Sequence, residues 1–182
     1  LILGLLIKSP KKIKIIGDKS LSKRDFSRVT IPLEKFGVKF SYKIKNKLPL
    51  TILGTQSAEG IKYLENKGSA QCKSSIMLAA LNASGTTSIK AKKSRNHSEL
   101  LFKYLKIPIK VRKTKRFDFI DIKKPKKINA FNYQIPGDIS SSAFFMALTT
   151  LANDSKLLIK NVNINPSRVG VITILKKMGA QI

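Results

Sequence analysis

An internal repeat of about 70 residues is the feature that most constrains the fold of this chain. Three short apolar segments, centred on Ile15, Ile89 and Ile159, are each followed by a polar turn and then by a helix-like pattern. The centres lie 74 and 70 residues apart. Such a period indicates one supersecondary unit used more than once, with its equivalent turns on a common face.

The helix ends and turns of the three copies also correspond. The helices are predicted to end near Gly37, Lys106 and Gly179, which are 69 and 73 residues apart. A further helix precedes the strand in two copies, at 72–82 and at 140–152. The turns are Ser22-Lys23-Arg24, Ser94-Arg95-Asn96 and Pro166-Ser167-Arg168.

Local periodicity supports the same unit. An apolar face at helical spacing, formed by Phe26, Val29, Leu33 and Phe36, predicts a helix. Pro32 lies inside it, and proline in a helix interior costs about 3 kcal/mol, so we expect a kink or an early end. Alternation over 38–44 and 48–52 predicts a hairpin, and residues between Val111 and Ile122 a second one.

Strands mixed with two helices per unit predict an α/β fold (mixed α+β) whose helices lie against sheets. The segment from Lys123 to Pro136 combines a run of lysines with proline, and Gly137 follows it. Charge, proline and glycine together indicate a connection between two parts of the chain there.

The charge of the chain is strongly positive: 36 Lys and Arg face 10 Asp and Glu, for a net charge of +26. A nucleic-acid-binding module would explain this charge, and it would require one basic face interleaved with aromatic residues. Lysines occur instead in nearly every segment, and none of the common nucleic-acid-binding motifs is present. The pattern therefore favours a solvated basic surface.

Several other classes of protein are disfavoured. The single cysteine, Cys72, excludes a disulfide framework and a Cys-rich metal site, and the single histidine, His97, disfavours a His-cluster site. With neither kind of cluster present, we predict no metal. No apolar run reaches the roughly 18–20 residues of a membrane helix, so we also predict no membrane partner. Both Leu1 and Ile182 lie in apolar segments, and we expect the chain to be an interior piece of a longer protein.

Three turns place hydroxyl or basic side chains at predicted helix starts: 22–24, 68–71 and 94–97. Unpaired N–H groups and the helix dipole make such starts favourable for anions, and an arginine adds a two-pronged donor. Each serine alone is explained by an ordinary helix cap. Because the turns recur with the repeat, together they indicate binding of small anions.

Other chemistry-bearing residues have simpler explanations. Asp138 is interpreted as a helix N-cap rather than a general base, and Cys72 as a small buried residue. His97 is assigned to a helix surface or the lining of a site. Asp118 and Asp121 alternate with apolar residues in a strand, and both are expected to face solvent rather than a metal.

An ordered set of motifs, spread over almost the whole chain, resembles the family of 3-phosphoshikimate 1-carboxyvinyltransferases, or EPSP synthases. The matching segments are Gly17-Asp18-Lys19-Ser20-Leu21-Ser22-Lys23-Arg24, Leu48-Pro49-Leu50-Thr51-Ile52, Gly68-Ser69-Ala70-Gln71-Cys72-Lys73-Ser74, Leu78-Ala79-Ala80-Leu81-Asn82-Ala83, Gly85-Thr86-Thr87, Ser94-Arg95-Asn96-His97-Ser98-Glu99, Pro136-Gly137-Asp138-Ile139-Ser140-Ser141, Asn165-Pro166-Ser167-Arg168 and Met178-Gly179-Ala180.

The resemblance implies a fold of two similar domains, an inside-out α/β barrel of repeated βαβαββ units, only part of which is present here. Residues 1–134 would be the later part of the first domain and residues 135–182 the beginning of the second. The resemblance also implies a monomer at full length, in the cytoplasm, that uses no cofactor and no metal.

The activity implied is transfer of the enolpyruvyl group of phosphoenolpyruvate to the 5-hydroxyl of shikimate 3-phosphate in the shikimate pathway, with release of phosphate. By position, Arg24 would contact phosphoenolpyruvate. Ser69, Ala70 and Gln71 would hold shikimate 3-phosphate, with Gln71 also near phosphoenolpyruvate. The remaining contacts, to the phosphate of the shikimate substrate, would come from Ser94 and Arg95.

The sequence departs from the family pattern at three places. Asp25 stands where proline usually follows the arginine, Asn96 replaces a common aspartate, and Lys106 stands where glycine often ends the helix. The acid and base residues of the family would come from segments outside this chain, so we expect no turnover from these 182 residues alone. Two alternatives stay open: a UDP-N-acetylglucosamine enolpyruvyl transferase and a basic nucleic-acid-binding module. The resemblance favours small anionic substrates and no nucleic acid.

Overall fold

The computed structural model describes residues 1–182, which form two compact units, Leu1–Asn129 and Ala130–Ile182. A 3₁₀ helix, Ile2–Lys8, opens the first unit. The helices of the first unit are α1 (Lys19–Ser22), α2 (Ser27–Glu34), α3 (Ala70–Ala80) and α4 (His97–Tyr104). Its strands are β1 (Ile13–Ile15), β2 (Lys39–Tyr42), β3 (Leu50–Leu53), β4 (Lys62–Glu65), β5 (Thr86–Lys92), β6 (Ile109–Lys113) and β7 (Phe117–Lys123).

The strands of the first unit form two sheets. One is antiparallel, in the order β1-β3-β2, and contains the first predicted hairpin as the pair β2–β3. The other has the order β4-β5-β7-β6, in which β4 and β5 run parallel and the other pairs antiparallel. The second predicted hairpin is the pair β6–β7. The mixed α/β class predicted from the sequence is confirmed.

Helix α3 lies at the centre of the first unit, because almost all of its residues are apolar or small. Ile76, Met77 and Ala79 are fully buried. The 3₁₀ helix comes so close to α3 that a Cβ atom on Gly4 would overlap the carbonyl oxygen of Ser75, which explains a glycine there. Burial of this apolar surface is the main favourable term in folding of the unit.

Helix α2 and strand β7 test two local expectations. Helix α2 ends at Glu34, two residues after Pro32, in agreement with an early end. Strand β7 alternates as predicted, but Asp118 was assigned to the wrong face: it is 5% exposed and shares the interior face with Ile120 and Ile122. Asp121 is exposed as expected. Because Lys93 Nζ lies 3.0 Å from Asp118 Oδ1, the buried carboxylate is paired with a cation.

The repeat is confirmed at the ends of its helices. Gly37, Lys106 and Gly179 follow α2, α4 and the last helix, with φ angles of 93°, 54° and 97°. A left-handed residue after a helix satisfies the last carbonyl groups, and glycine adopts it without strain. The three copies therefore end their helices in the same backbone conformation, although one of them uses lysine.

The second unit contains α5 (Ile139–Leu151) and α6 (Gly170–Lys177). Asp138 caps α5, as predicted: its Oδ1 atom accepts a hydrogen bond from the N–H of Ser140, at 3.0 Å. The third predicted strand, around Ile159, is wrong as a regular strand, because only a single parallel bridge, Gly137 to Val162, forms there. A strand persists only where a neighbour pairs along its length.

No helix in either unit combines the length and the apolar character that crossing a membrane requires.

Replacement of Lys106 by glycine tests the left-handed backbone conformation of the residue that follows α4. A non-glycine residue in this conformation costs about 1 kcal/mol, so Lys106→Gly is expected to raise the free energy of unfolding by about that amount. The matched control is Lys103→Gly inside α4, which is expected to lower it by about 1 kcal/mol. Urea unfolding followed by circular dichroism measures both, and equal losses in the two variants would contradict the assignment.

Candidate functional site

Two predicted anion-binding turns come to one edge of the four-stranded sheet. Strands β4 and β5 are parallel neighbours, with Glu65 paired opposite Ala91 near their carboxyl ends. Each strand is followed by a short loop and a helix: 66–69 leads into α3, and 93–96 leads into α4. Ligands of α/β sheets bind outside the carboxyl ends of such strands, where the helices begin.

The first loop is shaped by a buried carboxylate. Glu65 is 4% exposed and accepts hydrogen bonds from the backbone N–H groups of Lys67, at 3.1 Å, and Gly68, at 2.8 Å. Gly68 has a φ of 70°, and a Cβ atom there would lie 3.2 Å from the carbonyl oxygen of Lys93. The turn therefore requires glycine both for its conformation and for its close approach to the second loop.

Helix α3 begins at this turn. The hydroxyl of Ser69 caps the helix by accepting a hydrogen bond from the N–H of Cys72, at 3.2 Å. The backbone N–H groups of Ala70 and Gln71 belong to the first turn, where no intrahelical acceptor exists. Ser69 and Ala70 are half-buried, whereas Gln71 is exposed. The three predicted residues thus present backbone and side-chain donors at the positive end of a helix.

The second loop carries a hydroxyl and a guanidinium group. The Oγ atom of Ser94 is buried and has no hydrogen-bond partner in the chain. Arg95 is exposed, two residues before the start of α4 at His97. A polar group buried without a partner is costly, so Ser94 is a natural contact for a bound anion.

A fully buried lysine of α3 contacts both the second loop and α4. Lys73 has no exposed surface, and its Nζ atom lies 2.6 Å from Oε1 of Glu99 and donates to the carbonyl oxygen of Arg95, at 2.9 Å. One residue further on, Ser74 Oγ lies 2.6 Å from Ser98 Oγ. The first turns of α3 and α4 are therefore connected by side chains in two places.

Arg24 lies on a third turn of the same unit. The predicted helix start is misplaced there: Ser22 ends α1, and α2 begins only at Ser27. The carboxylate of Asp25, the departure from the family pattern, accepts a hydrogen bond from the N–H of Ser27, at 2.6 Å. The hydrogen bond with Ser27 holds the pKa of Asp25 below its ordinary value. Arg24 is exposed, and no hydrogen bond or ion pair of its side chain joins it to the edge formed by β4 and β5.

The remaining sequence candidates lie apart from an anion site or serve the fold. His97 is exposed at the first position of α4. Asp138, in the second unit, accepts a hydrogen bond from Arg168, at 2.9 Å. The backbone hydrogen bond from Ser140, followed by the charge of Arg168, lowers the pKa of Asp138. Its position as a paired cap supports the structural interpretation over a role as general base.

Three buried charged residues that hold the loops and helices beneath the site were missed from the sequence: Glu65, Lys73 and Glu99. The signal was available only for Lys73, a lone lysine at the positive end of an otherwise apolar or small-residue helix, where a cation is disfavoured. Glu65 and Glu99 each lie in a segment that mixes apolar and polar residues, so the sequence pattern does not distinguish them from surface residues. Their burial depends on contacts with residues distant along the chain.

Comparison with known proteins gives a consistent family. The family model described as EPSP synthase (3-phosphoshikimate 1-carboxyvinyltransferase) matches residues 1–182. Proteins named 3-phosphoshikimate 1-carboxyvinyltransferase from Streptococcus pyogenes serotype M49 (strain NZ131) and serotype M28 (strain MGAS6180) are each 40% identical to the chain over 184 aligned residues. The match covers 100% of this chain but 42% of each relative.

A solved structure of EPSP synthase from Acinetobacter baumannii matches with a TM-score of 0.83 and 36% identity, covering 100% of this chain and 40% of that one. A second structure of the Acinetobacter baumannii enzyme has the same TM-score and identity, with 41% of its chain covered. The match confirms the fold class, that of the inside-out α/β barrel.

Alkylation of Cys72 tests the packing beneath the site. Its Sγ atom donates to the carbonyl oxygen of Arg28, at 2.7 Å, and burial raises the pKa of the thiol from 9.0 to about 11. Only the thiolate reacts, so iodoacetamide at pH 8 is expected to modify the native chain at least ~100-fold more slowly than the urea-unfolded chain. Because Cys72 is the only cysteine, mass spectrometry reports its rate directly.

The raised pKa of the Cys72 thiol also makes the free energy of unfolding depend on pH. The unfolded thiol loses its proton first, so the contribution of Cys72 to stability is present below pH 9 and is lost as the pH rises towards about 11. In the alkylation experiment described above, equal rates in the native and unfolded chains would contradict the buried position of Cys72.

Proposed function

This chain belongs to the EPSP synthase family, and we propose that its protein transfers the enolpyruvyl group of phosphoenolpyruvate to the 5-hydroxyl of shikimate 3-phosphate, with release of phosphate. The chain spans 42% of the length of these relatives, so the activity is proposed for the whole protein and not for this part alone. One observation carries it: the Ser69-Ala70-Gln71 and Ser94-Arg95 turns lie at one sheet edge, joined through buried Lys73.

The shikimate substrate is assigned to this edge. Ser69, Ala70 and Gln71 hold it through the first turn of α3, where free N–H groups and the helix dipole favour a negative ligand. Ser94 and Arg95 bind its phosphate: the hydroxyl of Ser94 has no partner in the chain, and a guanidinium group offers two parallel donors to phosphate.

Phosphoenolpyruvate is assigned to Arg24 and Gln71. Gln71 is exposed at the start of α3 and so is available to both substrates. Helix α2 connects the turn of Arg24 to α3, since the carbonyl oxygen of Arg28 accepts the Cys72 hydrogen bond. Two anions held side by side repel each other, and positive groups on both turns offset that repulsion.

The reaction proceeds by addition and elimination through a tetrahedral intermediate, as the family resemblance implies, and it requires no redox cofactor and no metal. Residues of this chain bind and orient the substrates, so their contribution is proximity and orientation. The acid and base groups are assigned to segments outside residues 1–182. We propose that the unit Leu1–Asn129 corresponds to the first predicted domain (1–134) and Ala130–Ile182 to the second (135–182).

The wider assignments follow from the same proposal. The partners are the two small anionic substrates, the protein is a monomer at full length, and it acts in the cytoplasm. The second enolpyruvyl transferase considered above, specific for UDP-N-acetylglucosamine, is disfavoured because the relatives carry the shikimate name.

A nucleic-acid interface has one observation in its favour. The outer face of the β4-β5-β7-β6 sheet interleaves basic residues with Phe117 and Phe119. These rings are already covered by the chain's own cations: Lys90 Nζ lies 4.8 Å from the centre of the Phe117 ring, and Arg112 lies 4.1 Å from that of Phe119. Bases need an open ring face for stacking, so this surface favours solvation over nucleic acid.

Substitution of the site residues in the full-length protein tests the assignment. Arg95→Ala and Gln71→Ala are each expected to lower kcat/KM by roughly 10- to 150-fold, because a hydrogen bond to a charged group is worth about 1.5–3 kcal/mol. Phosphate release in the presence of both substrates measures the rate. Arg116→Ala, an exposed arginine in the β6–β7 turn, is the matched control and is expected to retain the wild-type rate. Wild-type rates in both site variants would refute the assignment.

The 182-residue chain by itself is expected to show no turnover, because the acid and base groups are assigned to segments outside it. The chain is purified from a host strain that lacks its own EPSP synthase, which removes the contaminating activity. Phosphate release above the level of an Arg95→Ala preparation of the same chain would contradict the prediction.

A further inference from the structure

We propose that Lys73 is a positioning residue for the phosphate of the shikimate substrate. It touches no substrate itself; it holds the Arg95 turn in register with the first turn of α3, so that both turns meet one bound molecule. The inference rests on the proposed function, and it adds a residue outside the binding set assigned above.

The contacts of Lys73 support this role. Its side chain is completely buried and spans the gap between α3 and the loop before α4. The ammonium group donates to the backbone carbonyl oxygen of Arg95, at 2.9 Å, and pairs with Glu99, at 2.6 Å. The bond to Arg95 is to the residue whose guanidinium is assigned to the phosphate, so the lysine acts on the backbone that carries the binding group.

Stability alone does not account for a lysine at this position. The attraction within a buried ion pair often does not offset the cost of removing both charges from water. Apolar residues of similar volume often stabilise a protein as well or better. The position is also at the positive end of α3, where the helix dipole disfavours a cation. One oxygen of the partner carboxylate, Glu99 Oε2, is buried with no hydrogen-bond partner, which adds a further cost.

The neighbouring contact between Ser74 and Ser98 does not replace this function. Their Oγ atoms lie 2.6 Å apart and join α3 to α4, within the helices themselves. The loop at 93–96 precedes α4, and of the two cross-links only that of Lys73 reaches it. Without the lysine, the carbonyl oxygen of Arg95 loses its donor, and the part of the loop beyond the Lys93–Asp118 pair loses this link to α3. A displacement of about 1 Å is enough to cost ~10²-fold in rate.

The test uses Lys73→Met in the full-length protein, which keeps an unbranched side chain one atom shorter and removes the charge and the donors. The expected result is a KM for shikimate 3-phosphate raised ~10-fold or more, with a smaller change in the KM for phosphoenolpyruvate. The preference for shikimate 3-phosphate over shikimate in equilibrium binding is expected to fall with it, because only the phosphate contact is displaced.

Two further variants separate positioning from stability. Lys73→Met combined with Glu99→Leu removes both buried charges, and it is expected to restore the melting temperature without restoring the KM for shikimate 3-phosphate. Glu99→Gln keeps the lysine and its bond to Arg95, and it is expected to lower the melting temperature with little effect on that KM. If Lys73→Met does not fold alone, the double variant carries the test.

A double-mutant cycle connects the effect to Arg95. Adding Lys73→Met to Arg95→Ala is expected to raise the KM no further, since the lysine acts through the arginine. A wild-type KM in the folded variant that combines Lys73→Met with Glu99→Leu, while Arg95→Ala is impaired, overturns the positioning role and leaves the proposed function intact. A wild-type KM in Arg95→Ala refutes the site assignment itself, and the positioning role with it.

Discussion

The parallel pairing of β4 with β5 is the constraint on which the candidate site depends. Because the two strands run in the same direction, the helices that follow them begin at the same edge of the sheet. The free N–H groups of α3 and the loop of Arg95 therefore lie close together although they are distant in the sequence. An antiparallel pair would have placed the two turns at opposite ends.

Burial of α3 explains both the stability of the unit and the unusual polar chemistry beneath the site. A helix enclosed on most sides must be apolar or small, and any charge on it must find a partner inside the protein. Lys73 meets that requirement with Glu99 and the Arg95 carbonyl group. The core thus contains a polar connection that runs from the centre of the unit to the surface where anions are proposed to bind.

Few of the basic residues that give the chain its large positive charge have an assigned role at the candidate site. The groups assigned to the substrates include two arginines, Arg24 and Arg95, and most of the 36 lysines and arginines are surface residues with no assigned role. Net charge of this size still steers small anions towards the protein over long range. Lys90 and Arg112 contact the chain's own phenylalanines, which removes the clearest sign of a nucleic-acid surface.

The sequence by itself determined where the helices of the repeat end, the two hairpins, the starts of α3 and α4 to within two residues, and the mixed α/β class, because those depend on local periodicity, caps and turn residues. Only the tertiary structure decided which charged residues are buried. Asp118 was expected at the surface, and Lys73 and Glu99 carried no predicted role, yet all three lie inside. Burial of a charge is settled by partners distant along the chain, and a sequence pattern records spacing within one element, not what packs against it.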